Sequence, residues 1–197
     1  KISVKKILNS YTLVDPLAVC LHAYNLSISK SPSEKCLVIG DGVIGCLMAW
    51  LLIKRGFRVS IEGRHDSNLR FIENFGADPV EIGIRPRYYH KVFEAIGRAQ
   101  PEALDECFQA VRAGGEVVVM GVYESNYAYP LVARNIFINE VKLFGVNGYT
   151  LNEFKEAASL ISSCEEELAV FISHSFSLAQ FSRALEVARK LQEFTMK

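Results

Sequence analysis

The chain has 197 residues, half of them apolar, and its 22 Lys and Arg balance 22 Asp and Glu. That length makes one large domain, or one domain with flanking pieces, around a sizeable core. The balanced charge, with no like-charge block, leaves no footprint for nucleic acid, and the longest apolar run, Val43 to Ile53, is too short to span a membrane. No secretory leader pattern is visible. The five cysteines (Cys20, Cys36, Cys46, Cys107 and Cys164) are odd in number, widely spaced and without C-x-x-C spacing. They read as buried thiols of a reducing, cytoplasmic compartment. The chain opens on Lys1 rather than Met, which reads as a fragment or processed form.

Asp15-Pro16 starts a helix over 15–27, because Asp is a good N-cap and Pro suits the first helical position. Leu17, Cys20, Leu21 and Tyr24 share one face of it. A short buried strand is predicted at 35–39, a helix at 43–55 closed by Gly56, and a second strand at 57–62. A helix at 68–75 is closed by Gly76. Next come a strand at 91–95, a helix at 102–112, and a strand at 116–120 after Gly114-Gly115. A short helix at 131–138, a strand at 141–146 and a helix at 151–162 follow. The end reads as a strand at 169–173 and a helix at 178–191. Strands alternating with helices imply an α/β fold built on a doubly wound parallel sheet.

One motif stands out in that frame. Gly40-Asp41-Gly42-Val43-Ile44-Gly45 lies between a predicted strand and a predicted helix, the context that gives G-x-G-x-x-G its meaning. Gly40 permits a tight turn, Gly42 admits a pyrophosphate to the backbone, and Gly45 lets helix and strand pack closely. The helix N-terminus offers free N–H groups to phosphate. Ligands of such sheets sit beyond the carboxyl ends of the strands. One rim then carries Gly40–Gly45, Glu62, Gly63, Arg64 and His65, Ala95 to Gly97, Gly121 to Tyr123, and Gly145 to Asn147. A Rossmann dinucleotide-binding domain at 15–150 is expected, with a leading linker at 1–14 and a C-terminal return segment at 151–197.

With these residues in hand, the chain resembles the medium-chain dehydrogenase/reductase family, the zinc-type alcohol and polyol dehydrogenases. The resemblance rests on Asp15-Pro16-Leu17-Ala18-Val19, the glycine motif, Phe75-Gly76-Ala77-Asp78 and Val92-Phe93-Glu94-Ala95-Ile96-Gly97. It continues through Ala113-Gly114-Gly115-Glu116 and Lys142-Leu143-Phe144-Gly145 to Ile172-Ser173-His174-Ser175-Phe176. It implies the cofactor half of such an enzyme, with flanking remnants of a catalytic domain whose bulk has no counterpart here. It implies hydride transfer between nicotinamide and an alcohol or carbonyl of a small molecule. Backbone at Gly121-Val122 and Gly145-Val146 would hold the nicotinamide, Tyr123 would flank it or pack beneath it, and strand 141–146 would pair with its copy in a homodimer.

The resemblance also bears on cofactor and metal. The family's usual acidic position after the second strand falls on Gly63, with Arg64 next. Glycine there removes the carboxylate that would repel a 2′-phosphate, and Arg64 can pair with one bidentately, with His65 as a further contact. NADP(H) is therefore favoured over NAD(H), with Glu62 as the competing acidic residue, its side chain alternating away from the ribose. Asp15 stands where polyol dehydrogenases place an acidic residue at the catalytic zinc; its other reading is a helix cap. His22 reads as a packed histidine, and His90 and His174 have no partner at zinc spacing. Glu94 reads as a hydrogen-bonded strand-end carboxylate. The alternatives are a zinc-free enoyl or quinone reductase of the same superfamily, and a non-catalytic dinucleotide-binding module.

Overall fold

A computed structural model describes residues 9–81, 86–97 and 101–190. The elements are α1 (Val14–Leu26), β1 (Lys35–Ile39), α2 (Val43–Lys54), β2 (Arg58–Glu62), α3 (Asp66–Glu73), β3 (Asp78–Pro79), β4 (Tyr89–Glu94) and α4 (Pro101–Ala110). They continue with β5 (Val111–Val119), α5 (Ala133–Asn139), β6 (Lys142–Gly145), α6 (Leu151–Ser163), α7 (Glu165–Ala169) and α8 (Phe181–Lys190). The sheet order is β3-β2-β1-β4-β5-β6, with every pairing parallel. This is the expected doubly wound Rossmann topology. The strand order reverses between β1 and β4, which opens the crevice where such sheets take ligands.

The core explains why these segments fold as they do. Residues 45–52 of α2 are all buried, as expected of a helix apolar on every side. Leu17, Ala18, Cys20, Leu21 and Ala23 of α1 are buried as well, a wider face than a single stripe, because α1 packs against both α2 and α6. A second cluster on the opposite face of the sheet joins Leu37, Ile39, Val92 and Val117 to Ala103 and Cys107 of α4.

α6 is fixed to α1 by a polar clasp. Thr150 and Glu153 form a capping box, and Glu153 also accepts hydrogen bonds at 3.0 Å from Asn25 Nδ2 and from His22 Nδ1. Burial opposes the charge on Glu153, but bonds from Thr150, Asn25 and His22 outweigh it and lower its pKa to about 2. His22 is thus the packed histidine the sequence suggests.

Several elements differ from expectation. Asp15 does not cap α1: the helix starts one residue earlier, with Leu13 at the cap and Asp15 in the first turn, since the preceding 3-10 turn Asn9–Leu13 feeds directly into it. The strand expected at 169–173 is replaced by α7 and an irregular segment. Buried Leu168 and Phe171 are three residues apart, a helical spacing, and Glu165, Glu166 and Glu167 favour a helix N-terminus. Phe171 packs edge-on against Phe71 at 4.8 Å. The final helix starts at Phe181, after a 3-10 turn at Leu178–Gln180, and its last expected residue, Leu191, lies outside the described residues. The two-residue β3 escaped the sequence reading because it is too short to show alternation. Strand β5 begins early, with a register shift opposite Tyr89 and Lys91 before the regular pairing of Glu116 to Val119.

No helix among the described residues is long and apolar enough to cross a membrane.

Candidate dinucleotide site

The rim at the carboxyl ends of the strands is stitched by main-chain hydrogen bonds. Gly40 N–H donates to Glu62 O at 2.8 Å and Ala95 N–H to Ile39 O at 2.8 Å. Gly121 N–H donates to Glu94 O at 3.1 Å and Val146 N–H to Val119 O at 2.9 Å. These bonds bring together the segments at Gly40–Gly45, Glu62–His65, Ala95–Gly97, Gly121–Tyr123 and Gly145–Val146.

The glycine turn has the geometry its residues imply. Gly40 has φ +117°, closed to most side chains. A Cβ on Gly45 would overlap the carbonyl oxygen of Gly40, whereas a Cβ on Gly42 would meet nothing within 4 Å. Gly45 therefore serves close packing, and Gly42 faces open space in front of the helix that begins at Val43. Ile44, one turn residue further on, is half-buried against the core.

Glu94 organises the next two loops. Its side chain is fully buried; Oε1 accepts Ile96 N–H and Gly97 N–H at 2.7 Å each, and Oε2 accepts Gly121 N–H at 3.3 Å. Gly97 and Gly121 pack backbone to backbone. Val122 is exposed, and Tyr123 stacks on Tyr127 at 5.2 Å. Burial and the Glu94 carboxyl raise the Tyr123 phenol pKa above its usual value.

At the end of β2, Arg64 and His65 are exposed. Asp41 is buried, and its carboxylate accepts His65 N–H at 2.6 Å, with His65 Nδ1 3.0 Å from Oδ1. Asn68 Nδ2 donates to Asp41 O at 2.9 Å. Sequence reasoning missed the roles of Asn68 and of the Asp41–His65 pair; a polar residue in the first turn of α3 is a weak signal without the fold.

Glu62 lies apart from this pair. Its Oε2 is buried with no hydrogen-bond partner among the described residues. Burial, then the charge of Glu106, push its pKa up to about 8, with Arg64 pulling the other way. A carboxyl whose folded pKa is raised supports stability fully below its unfolded value near 4.5, and loses that support as pH rises through about 8. Glu62→Gln is therefore expected to melt higher than the wild type at pH 9 and alike at pH 4.5. Thermal melts at both pH values check this, and equal shifts at both would refute it.

Asp15 is exposed, and its Oδ1 accepts the Tyr149 hydroxyl at 2.6 Å. It lines a cleft of about 720 Å³ with Val43, Ile44, Phe171 and His174, which joins it to the glycine-loop helix. His174 stacks on Phe176, and His90 Nδ1 accepts Lys35 N–H at 3.2 Å. Among the described residues no three His, Cys, Asp or Glu side chains converge to hold a metal. All five cysteines are unpaired, and burial pushes Cys46, with Asp41 adding to the effect, up to about 12.

A parallel six-stranded sheet with a glycine turn at its switch point defines a Rossmann-type dinucleotide-binding unit. The zinc-binding dehydrogenase family model matches residues 43–163, and the chain belongs to that family. It is 27% identical over 183 residues to a 2-dehydro-3-deoxy-L-galactonate 5-dehydrogenase of Pseudoalteromonas atlantica, covering 87% of this chain and 52% of the relative. The chain thus spans about half the length of the curated relatives it matches. Among solved structures, a Sinorhizobium meliloti protein described as a zinc-binding dehydrogenase and bound to NADP is 25% identical. Its TM-score is 0.71, over 77% of this chain and 47% of that one. A Thermotoga maritima alcohol dehydrogenase superposes with TM-score 0.87 over 98% of this chain and 57% of its own, at 19% identity.

Proposed function

We propose that this chain is the nicotinamide-dinucleotide-binding part of a zinc-type alcohol or polyol dehydrogenase, with residues 15–150 as the binding domain. The observation that carries this reading is the glycine turn at the switch point, with Gly42 open to a ligand and Gly45 closed against Gly40. The NADP of the Sinorhizobium structure and the name of the Pseudoalteromonas relative support it.

In this reading the free N–H groups at the start of α2 bind the pyrophosphate. The main chain at Ala95, Gly121, Val122, Gly145 and Val146 faces the nicotinamide end, with Tyr123 beside it. Glu94 holds the first two of those loops in place through its three accepted N–H bonds. A bound nicotinamide supplies the acceptor or donor of hydride at C4. With that group bound, the chemistry supplied would be reversible oxidation of an alcohol to a carbonyl, the hydride going to the ring and the hydroxyl proton to solvent.

Asp15, at the cleft beside the glycine loop, would stand near a zinc only together with ligands from a catalytic domain. A catalytic zinc takes three protein ligands, and the described residues do not assemble such a set. A second copy of the chain is assigned to the β6 edge, where Leu143 is exposed and Phe137 of the preceding α5 is 83% exposed. The free thiols are compatible with a reducing compartment, and the cytoplasm is the location assigned in this reading.

NADP(H) is the preferred cofactor in this reading, supported by Arg64 after Gly63. Calorimetric titration with NADPH and NADH tests this. NADPH is expected to bind tighter, and Arg64→Ala to weaken NADPH by about tenfold or more while leaving NADH nearly unchanged, the loss of a charge-assisted hydrogen bond. Tighter NADH binding that disappears in Glu62→Ala would overturn the preference, and binding of neither would overturn the cofactor role.

A further inference from the structure

Gly63 follows β2 directly, and its backbone lies outside the left-handed region. Nothing in its own conformation demands glycine. The demand comes from a neighbour in space. A Cβ at position 63 would overlap Cβ and Cγ of Asp41 and stand 2.5 Å from its Oδ2. The overlap is with the base of the Asp41 side chain, not with a flexible tip, so it is not relieved by a small rotation.

Asp41 is held in that place. Its side chain is 8% exposed. Its Oδ2 accepts His65 N–H at 2.6 Å, and His65 Nδ1 lies 3.0 Å from Oδ1 and 3.1 Å from Oδ2. Its carbonyl oxygen accepts Asn68 Nδ2 at 2.9 Å. One residue of the glycine loop is thus bonded to the turn after β2 and to the first turn of α3.

The consequence falls on Arg64. Its two chain neighbours are both tied to Asp41, Gly63 by contact and His65 by hydrogen bonds. His65 is extended, with φ −113° and ψ 103°, so successive side chains leave the chain on opposite sides. His65 turns in to Asp41, and Arg64 stays exposed, its charge felt by Glu62 and Glu106. A carboxylate at the end of β2 that selects ribose hydroxyls must be free to accept from them. The Asp41 carboxylate is buried and engaged by His65, so it does not serve as that acceptor.

We propose that Asp41 is the positioning residue for cofactor choice: it fills the space of a side chain at position 63, excludes an acidic residue there, and anchors the turn that presents Arg64. This rests on the dinucleotide-binding reading above. It makes positions 41 and 63 a coupled pair, so an acidic residue is compatible with position 63 only when the side chain at 41 is cut back.

The test is a double-substitution cycle on the full chain, with NADPH and NADH affinities from calorimetry and Tm from thermal melts. Gly63→Asp alone is expected to lower Tm and weaken both nucleotides. The double variant, Asp41→Gly with Gly63→Asp, removes the Asp41 Cβ that would stand 2.3 Å from a Cβ at 63; it is expected to recover most of that Tm and to bind NADH tighter than NADPH, inverting the wild-type ratio. Asp41→Gly alone is expected to shrink the NADPH preference at least severalfold by releasing Arg64. The assignment is overturned if Gly63→Asp alone keeps the wild-type Tm, or if Asp41→Gly leaves the affinity ratio unchanged. A wild-type chain that binds neither nucleotide overturns the dinucleotide-binding reading itself; the Tm cycle then reports only the steric coupling.

Discussion

Lys91→Ala is expected to destabilise the fold by about 3–5 kcal/mol, the cost of breaking a buried ion pair by removing one partner. For a chain of this size that corresponds to a fall in Tm of roughly 6–20 °C. Lys91 opens the regular part of β4 with its side chain only 2% exposed. Its ammonium donates to Glu116 Oε2 at 2.8 Å and to Ser27 Oγ at 2.6 Å. Ser27 Oγ donates in turn to Glu116 Oε2 at 2.6 Å, and the backbone N–H groups of Ile28 and Ser29 donate to the same carboxylate at 3.3 and 3.4 Å. One buried carboxylate thereby ties the end of α1 to β4 and β5. Removing Lys91 leaves it with no cation at 2.8 Å.

The pH dependence follows from the same contacts. Burial alone would raise the Glu116 pKa, but bonds from Lys91 and Ser27 and the Lys91 charge outweigh it and hold the pKa below its ordinary value. A carboxyl depressed on folding contributes stability above its unfolded pKa and loses it as pH falls through the folded one. The acid limb of the stability curve is therefore expected to be shallower in Lys91→Ala than in the wild type. Lys91→Met with Glu116→Leu should recover part of the loss, since an apolar pair of similar size removes the stranded charge. Urea melts of the single and double variants check this; a single variant within 1 kcal/mol of wild type would refute the assigned role. The cluster lies at the opposite end of the strands from the glycine loop, so the folded fraction of Lys91→Ala is expected to keep its nucleotide affinity.

The second large effect falls on that loop. Gly45→Val is expected to abolish nucleotide binding, with a loss of about 100-fold or more, equivalent to about 2.7 kcal/mol. The added atoms would occupy the position of the Gly40 carbonyl oxygen, which is backbone and cannot swing aside. Loop and helix must separate, at an overpacking cost of about 1–3 kcal/mol, and the N–H groups at the helix start lose their aim. The control is Gly42→Ala. Its Cβ meets nothing within 4 Å in this structure, so its Tm is expected to match the wild type while NADPH binding weakens, because the methyl group stands where a phosphate would approach. Calorimetric titration beside thermal melts separates the two glycines. Equal Tm losses in both, or unimpaired binding in Gly45→Val, would show that the loop does not hold phosphate as assigned.

The sequence carried the elements whose signals are local. Strand β1, the glycine turn and α2 announce themselves within twenty residues, because an apolar run, a positive-φ glycine and a second apolar run are each short-range demands. The helix expected at 151–162 was legible in the same way, whereas its capping box at Thr150 and Glu153 was seen only in the structure. The reading failed where the signal was apolar content without period. Val170, Phe171 and Ile172 resemble a strand as a string, yet Phe171 is buried against Phe71 and Phe75 from an irregular segment. β-branched and aromatic composition reports burial on a surface more than a pairing of backbones.

The candidate site divides along the same line. The residues of the rim were legible in order, since each follows a predicted strand and parallel sheets place such positions together. What position 63 does was not legible. In sequence, Gly63 is an absent carboxylate; in the structure it is a glycine required by the buried side chain of Asp41, twenty-two positions earlier. The sequence by itself determined the alternation of strands and helices, the glycine turn and the balance of charge, all consequences of local conformational preference and apolar pattern. Only the tertiary structure decided that Glu62 faces Glu106, that Lys91, Ser27 and Glu116 close a buried cluster, and that Asp41 and His65 share a bond. Such pairings depend on strand order and on which face of the sheet each side chain takes, and the sheet's long-range parallel pairing sets both.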